Sequence, residues 1–350
     1  MSVLVGAYAA SPAHAQWAPD AEEEYFDGLA ALDTVRGLEL PWIDGLHPHD
    51  DAWLLRRFPR RFDAVLTGIP GTMRRLGSDP RFGLASLDAD GRAAAVAEAT
   101  RMLEAAERLN DACGRRAVVA VELHSAPVAS VDPAAEQAAI SALRASLESL
   151  AASGAGDDAA LVVEHCDAFV PGRTPEKGFL AVADELAALD GLPDRFGMSV
   201  NWGRSAIELR DGDAVAAQIA QIAASGRLRG LMLSGAADQV TPFGPAWVDA
   251  HHPMTPVPGF PHGEPASLLT AGRLAAAVAA AGPIEWAGVK FGWADPSAGV
   301  APRVAMVTAA ATLLTRTLAS HSAQMPHEAT RNAAFGQMLA LPTQRVARHY

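Results

Sequence analysis

Ile284-Glu285-Trp286-Ala287-Gly288-Val289-Lys290-Phe291 is a short apolar run that closes on an ammonium group. Seven other short apolar, often β-branched runs precede it, at residues 3–7, 37–40, 64–67, 117–123, 160–164, 198–201 and 231–233, with 287–291 as the eighth. Between and after them lie longer Ala-rich amphipathic segments at 21–31, 52–58, 92–113, 134–152, 178–189, 213–224, 265–281 and 304–320. Strict alternation of strand-like and helix-like segments is the rhythm of βα units around a parallel sheet. Eight of each predicts a single closed (β/α)8 TIM barrel. An open doubly wound sheet is the competitor, but no Gly-x-Gly-x-x-Gly follows the first strand. Local punctuation agrees with several boundaries: Asp88, Asp90 and Asp132-Pro133 suit helix starts, and Gly154 and Gly226 suit helix ends.

The bulk numbers fit a folded globular chain of 350 residues, 50% hydrophobic and 19% charged. A formal charge of -12 and a pI near 5.3 argue against nucleic acid or an anionic membrane as partner. Cys113 and Cys166 form neither a disulfide framework nor a zinc-finger pattern, which points to a reducing cytoplasm. Met1 to Gln16 carries an Ala-His-Ala stretch but lacks a basic leader region, so residues 3–7 read as the first strand. No apolar stretch is long enough to span a membrane. The expected division is a barrel over 1–325 and an extension over 326–350, bearing Arg331, Arg345 and Arg348, that packs on the barrel or in a homo-oligomer contact.

Residues 235–264 are unusual in carrying Pro242, Pro245, Pro253, Pro256, Pro258 and Pro261 among aromatic residues and histidines. So long a connection after strand seven is either a lid over the barrel mouth or a proline-stiffened surface loop. The pair His251-His252 reads first as loop surface. His47, His49, Asp50 and Asp51 read as a solvated turn with a helix-capping Asp, rather than as a metal site.

All strands of a parallel barrel end on one face, so their terminal residues converge. Here those ends read Glu39-Leu40-Pro41, Glu122-Leu123-His124, Glu164-His165-Cys166-Asp167, Asn201-Trp202-Gly203-Arg204, Met232-Leu233-Ser234-Gly235 and Lys290. Period-two alternation turns Glu122, His124, Glu164 and Cys166 to one face and His165 and Asp167 to the other. Any one buried polar residue is ordinary. So many at the ends of separate strands would be a costly core unless a ligand used them. Cys166, beside Glu164, is expected to be a packed, inert thiol.

These motifs resemble the xylose isomerase-like barrel superfamily, which includes sugar isomerases, sugar epimerases and endonuclease IV-type repair enzymes. Glu39-Leu40-Pro41 is similar to its strand-two pattern and Glu164 to its strand-five metal-binding glutamate. Asn201-Trp202-Gly203-Arg204 stands where the superfamily has Asp-x-x-His, Met232-Leu233-Ser234-Gly235 where it has His-x-x-Asp, and Lys290 where it has a strand-eight glutamate. The resemblance therefore implies a branch with most metal ligands replaced, needing no cofactor. It also implies proton transfer beside a carbonyl of a sugar or sugar acid, with Glu164 as base and Glu122 or His124 as the second acid/base. Lys290 and Arg204 would stabilise negative charge, and Asn201, Ser234, Glu39, Trp202 and Trp293 would contact an anionic small-molecule substrate. For the two tryptophans, ordinary packing is an equal expectation. A Schiff-base aldolase or lyase built on Lys290, and a non-catalytic binding protein for anionic sugars, are the alternatives.

Overall fold

The computed structural model describes residues 2–156 and 159–324. The expected extension over 326–350 lies outside them. Eight parallel strands close into a barrel in sequence order: β1 Ser2–Val5, β2 Gly37–Pro41, β3 Asp63–Thr67, β4 Val118–Leu123, β5 Ala160–His165, β6 Phe196–Asn201, β7 Leu228–Leu233 and β8 Trp286–Val289. The last strand pairs with the first, Val5 lying opposite Val289. The (β/α)8 fold expected from the alternation is the fold found.

The helices are α1 Pro19–Ala30, α2 Asp51–Arg57, α3 Ile69–Ser78, α4 Ala89–Cys113, α5 Pro133–Ser153, α6 Val182–Leu189, α7 Trp202–Leu209, α8 Val215–Ala224, α9 Ala271–Ala281 and α10 Val300–Gln324. Two of them, α3 and α7, were not expected, because each is short and follows directly on a strand end. The α7 start was readable in one residue: Asn201 closes β6 and accepts the backbone N–H groups of Gly203 and Arg204. The α9 start falls later than expected, because Thr270 caps the helix by accepting from the N–H of Arg273. The run expected as strand over 3–7 stops at Val5, and Ala7–Ala10 turn as a 3-10 helix.

Inward-facing side chains fill the barrel in layers. The lower layer is Leu4, Val65, Ala120, Val162, Met232 and Trp286, a closed apolar cluster. Trp286 fits because Gly230 has no side chain: a Cβ there would lie 2.0 Å from the indole Cε2. Helices cover the outside through a larger apolar layer that includes Leu38, Val121, Leu161, Val200, Ala287 and Met306. Among the described residues no helix is long and apolar enough to cross a membrane.

Candidate active site

One step further along the same inward faces the chemistry changes. Glu39, Thr67, Glu122, Glu164, Ser199 and Lys290 all point into the mouth and pair with one another across the barrel, and all are buried. Lys290 lies just past β8, its backbone N–H donating to Leu233 O at 2.9 Å, which continues the β7–β8 ladder. Its ammonium sits 3.0 and 2.8 Å from the two Glu39 carboxylate oxygens. The alkyl stem has room because Gly6 faces it: a Cβ at Gly6 would meet Lys290 Cγ at 2.6 Å. Burial alone would lower the Lys290 pKa, but the Glu39 carboxylate outweighs it and holds the amine charged, well above the usual lysine range.

Glu164 is the hub. Its Oε2 accepts from Thr67 Oγ1 at 3.1 Å and from His124 Nε2 at 2.9 Å, and its Oε1 lies 2.5 Å from Arg204 Nη1. Burial pushes the carboxyl up, yet the Arg204 guanidinium, the His124 bond and Lys290 pull it well below the usual range. Glu122 has the opposite fate. It accepts from Ser199 Oγ at 2.7 Å, but burial and then the negative charges of Glu164 and Glu39 raise it well above the carboxylate range. The nearest oxygens of Glu39, Glu122 and Glu164 all lie within 4.8 Å of one another. Within one cluster, then, Glu164 is pulled down while Glu122 and, first through burial, Glu39 are pushed up.

His124 stays neutral, since burial lowers it more than Glu164 raises it. With Nε2 committed to the carboxylate, Nδ1 has no partner among the described residues. Arg204 is the third residue of α7 and is fixed at both ends, by Glu164 and, through Nε, by Asp249 Oδ2 at 2.9 Å.

The other expected contacts divide. Ser234 Oγ donates to Asn201 Oδ1 at 2.8 Å, so both serve first to set the start of α7, while Asn201 Nδ2 has no partner among the described residues. Trp202 is buried in the outer apolar layer and Trp293 packs at that layer's edge against the His262 ring, with centroids 5.7 Å apart. Cys166 is buried and its thiol is raised well above its ordinary value, first by burial, as the inert reading requires. In the 47–51 turn Asp50 caps α2 and His47 Nδ1 accepts backbone N–H groups, as a capping turn requires, but His47 is not solvated: its side chain is only 7% exposed and packs against Trp17 and Trp53.

The sequence profile of the family described as "Domain of unknown function (DUF4862)" matches residues 4–306. The chain belongs to DUF4862. A Salmonella typhimurium relative with the name "Uncharacterized protein STM3670" is 34% identical over 304 residues, covering 86% of this chain and 93% of that protein. Among solved structures, this DUF4862 chain is similar to a zinc-containing IOLI protein (TM-score 0.59, 10% identity, 91% of this chain and 99% of that one). It is also similar to an L-ribulose 3-epimerase (TM-score 0.53, 14%, 99% and 100%) and to a D-tagatose 3-epimerase-like protein (TM-score 0.53, 12%, 85% and 97%). At such identities the likeness is one of fold, the closed (β/α)8 barrel that the DUF4862 chain itself forms.

Several residues of the DUF4862 mouth escaped the sequence reading. Thr67 and Ser199 were findable, since each is an inward position at a strand end. Tyr8 was not, although its half-buried ring lies 5.2 Å from the Lys290 ammonium. Lys177 and Asp249 sit on loops far apart in sequence and meet at 2.8 Å. His251 and His252 are a correction: rather than forming loop surface, His252 is fully buried and the His251 side chain is only 17% exposed. They are covered because the 235–264 loop folds down onto the barrel, Gly235 N bonding to His252 O and Gly292 N to His251 O, each at 2.7 Å.

Proposed function

We propose that this chain is a sugar or sugar-acid isomerase or epimerase that moves a proton beside a carbonyl, with buried side-chain cations in place of a divalent metal. The observation that carries the reading is the contrast in surroundings within one small cluster: Glu164 is held by Arg204, His124 and Thr67, whereas Glu122 accepts from Ser199 and faces the other carboxylates. Two neighbouring carboxyls pushed apart in pKa supply a base and an acid in the same site. Glu164 takes the proton next to the carbonyl, and Glu122 returns one. Arg204 now suppresses Glu164's basicity, so the guanidinium must turn to the substrate oxygen as charge develops there, which frees the carboxylate to accept. Lys290 stabilises the same oxygen, and His124 orients Glu164 through Nε2.

Divalent metal, present in the zinc-containing neighbour, does not fit this donor set. Glu39, Glu122 and Glu164 form one group of oxygens, and His124, Glu164 and Cys166 form a second group of donors. An ion at about 2.0–2.6 Å from those oxygens would press against Lys290 and Arg204, which already lie at 2.8 and 2.5 Å from the carboxylates. The Schiff-base alternative gains nothing from Lys290, whose amine is kept charged. Two free cysteines, one of them buried, suit a cytoplasmic enzyme.

The test is solvent exchange. Full-length protein incubated in deuterated water with a panel of ketoses, aldoses, sugar acids and sugar phosphates should place deuterium on the carbon beside the carbonyl of one of them. Untagged protein should carry no stoichiometric zinc or manganese by elemental analysis. No exchange on any panel member, or exchange abolished by chelators, would overturn the proposal. Tight binding without exchange would point instead to a sugar-binding protein.

A further inference from the structure

Arg204 and Lys177 are brought side by side by rigid parts of the barrel. Arg204 rides on α7, whose start is capped by Asn201. Lys177 is held by a clamp in which Asp167 Oδ2 accepts the backbone N–H groups of Glu176, Lys177 and Gly178 at 2.8, 2.8 and 3.3 Å. Two buried cations so placed repel each other unless an anion lies between them.

Glu164 lies against Arg204 Nη1 and Asp167 Oδ1 is 4.0 Å from Lys177 Nζ, but the anion that bridges the two cations is Asp249, delivered by the 235–264 loop. One oxygen, Oδ2, bridges Lys177 Nζ at 2.8 Å and Arg204 Nε at 2.9 Å, and Oδ1 lies 3.3 Å from His251 Nδ1. The carboxyl sits well below its usual range because these charges outweigh burial. The loop bends sharply on either side to make the delivery: Trp247 and His251 both adopt left-handed backbone, with φ of 63° and 53°. Non-glycine residues take that conformation at a cost, met only when surrounding contacts hold it. The loop so held covers a mouth in which Glu39, Glu122 and Lys290 are fully buried. Beside Glu122 and His124 lies a cavity of about 30 Å³, room for roughly one water.

We propose that Lys177 and Arg204 form an anion-binding subsite and that Asp249 occupies it as an internal stand-in for the carboxylate or phosphate of an entering substrate. The incoming anion takes Asp249's place, the strained loop is released, and the mouth opens. The inference rests on the reading that the substrate is anionic, but its test needs no turnover.

Thermal-shift titrations of the full chain with inorganic phosphate and with D-gluconate, at ionic strength matched with sodium chloride, would compare wild type with Asp249→Asn. Removing the internal competitor should lower the midpoint for at least one anion by about tenfold or more. Whichever anion responds identifies the group the subsite prefers. Adding Lys177→Met to Asp249→Asn should return the midpoint toward the wild-type value. If Asp249→Asn does not fold, wild type still decides: phosphate or gluconate should increase proteolytic cleavage within 235–264, and Lys177→Met should remove that response. An unchanged midpoint in folded Asp249→Asn, or a wild-type loop response that Lys177→Met leaves intact, would overturn the subsite. Deuterium exchange that persists in that case leaves the chemistry standing. Tighter anion binding without exchange on any sugar keeps the subsite and sinks the proton-transfer reading.

Discussion

The floor and the mouth of this barrel are built on the same inward-facing strand positions, one pleat apart. Val65 becomes Thr67, Ala120 becomes Glu122, Val162 becomes Glu164, Met232 becomes Ser234 and Gly288 becomes Lys290. The floor is apolar, closed by Trp286, and satisfied by packing alone. The mouth is as deeply buried yet holds ionisable groups, each of which costs free energy to remove from water unless it is paired. A polar layer directly above an apolar one, in an equally dry setting, is poorly explained by stability and well explained by chemistry at the C-terminal ends of the strands.

The largest expected effect lies in the mouth alone. Lys290→Met and Glu164→Gln should each slow deuterium exchange by about 10²–10⁴-fold, whereas Met232→Leu on the floor should change it little. Equal losses from all three would erase the functional distinction between the layers.

Stability should separate the layers in a different way. Glu39→Leu leaves Lys290 buried without its partner and is expected to cost about 3–5 kcal/mol in urea unfolding. The double variant Glu39→Leu with Lys290→Met turns that part of the mouth into floor and should recover wild-type stability or exceed it. Trp286→Ala should cost a similar ~3–5 kcal/mol through the cavity it leaves, with no second site able to restore it by charge removal. A double variant no more stable than Glu39→Leu would show that the mouth depends on packing after all.

Gly6→Ala probes the boundary between the layers, because the added Cβ lands 2.6 Å from Lys290 Cγ. The stem has to shift, costing about 1–3 kcal/mol and lowering exchange more than stability. Full retention of exchange would mean that Lys290 is not held to a tight position.

The smallest effect concerns the outer face of β5. His165 donates through Nδ1 to Glu185 and through Nε2 to Glu208, each at 2.7 Å. Burial opposes its charge, but the two carboxylates raise its pKa from 6.5 to about 10. A group raised on folding stabilises fully below its unfolded pKa and loses that contribution as pH rises through the folded value. Wild type should therefore lose stability relative to His165→Gln between pH 6.5 and about 10. A difference that stays flat over that window would remove His165 from the account.

Much of the inward layer was legible before any coordinates. Glu122, His124 and Glu164 were assigned to one face by alternation, and they meet at Glu164. Lys290 was placed at the end of β8 and stands there, though its charge partner Glu39 is 251 residues away in sequence. Trp202 and Trp293 were ambiguous because an aromatic residue at a strand end packs or binds with equal ease, and their packing was set by neighbours on other elements. Asp249 and Lys177 carried no local signal, since loops without periodicity leave contact partners unspecified.

Sequence by itself determined the alternation of strands and helices, hence the closed barrel, and the ionisable residues at its strand ends, because side-chain periods of two and 3.6 are local properties of the backbone. Tertiary structure alone decided which charges neutralise which. Pairing of Lys290 with Glu39, Arg204 with Glu164, and Asp249 with both Arg204 and Lys177 depends on distances between segments remote in sequence. Those distances, acting in a buried site where each opposite charge outweighs part of the burial penalty, set which carboxyl is pulled down in pKa and which is pushed up.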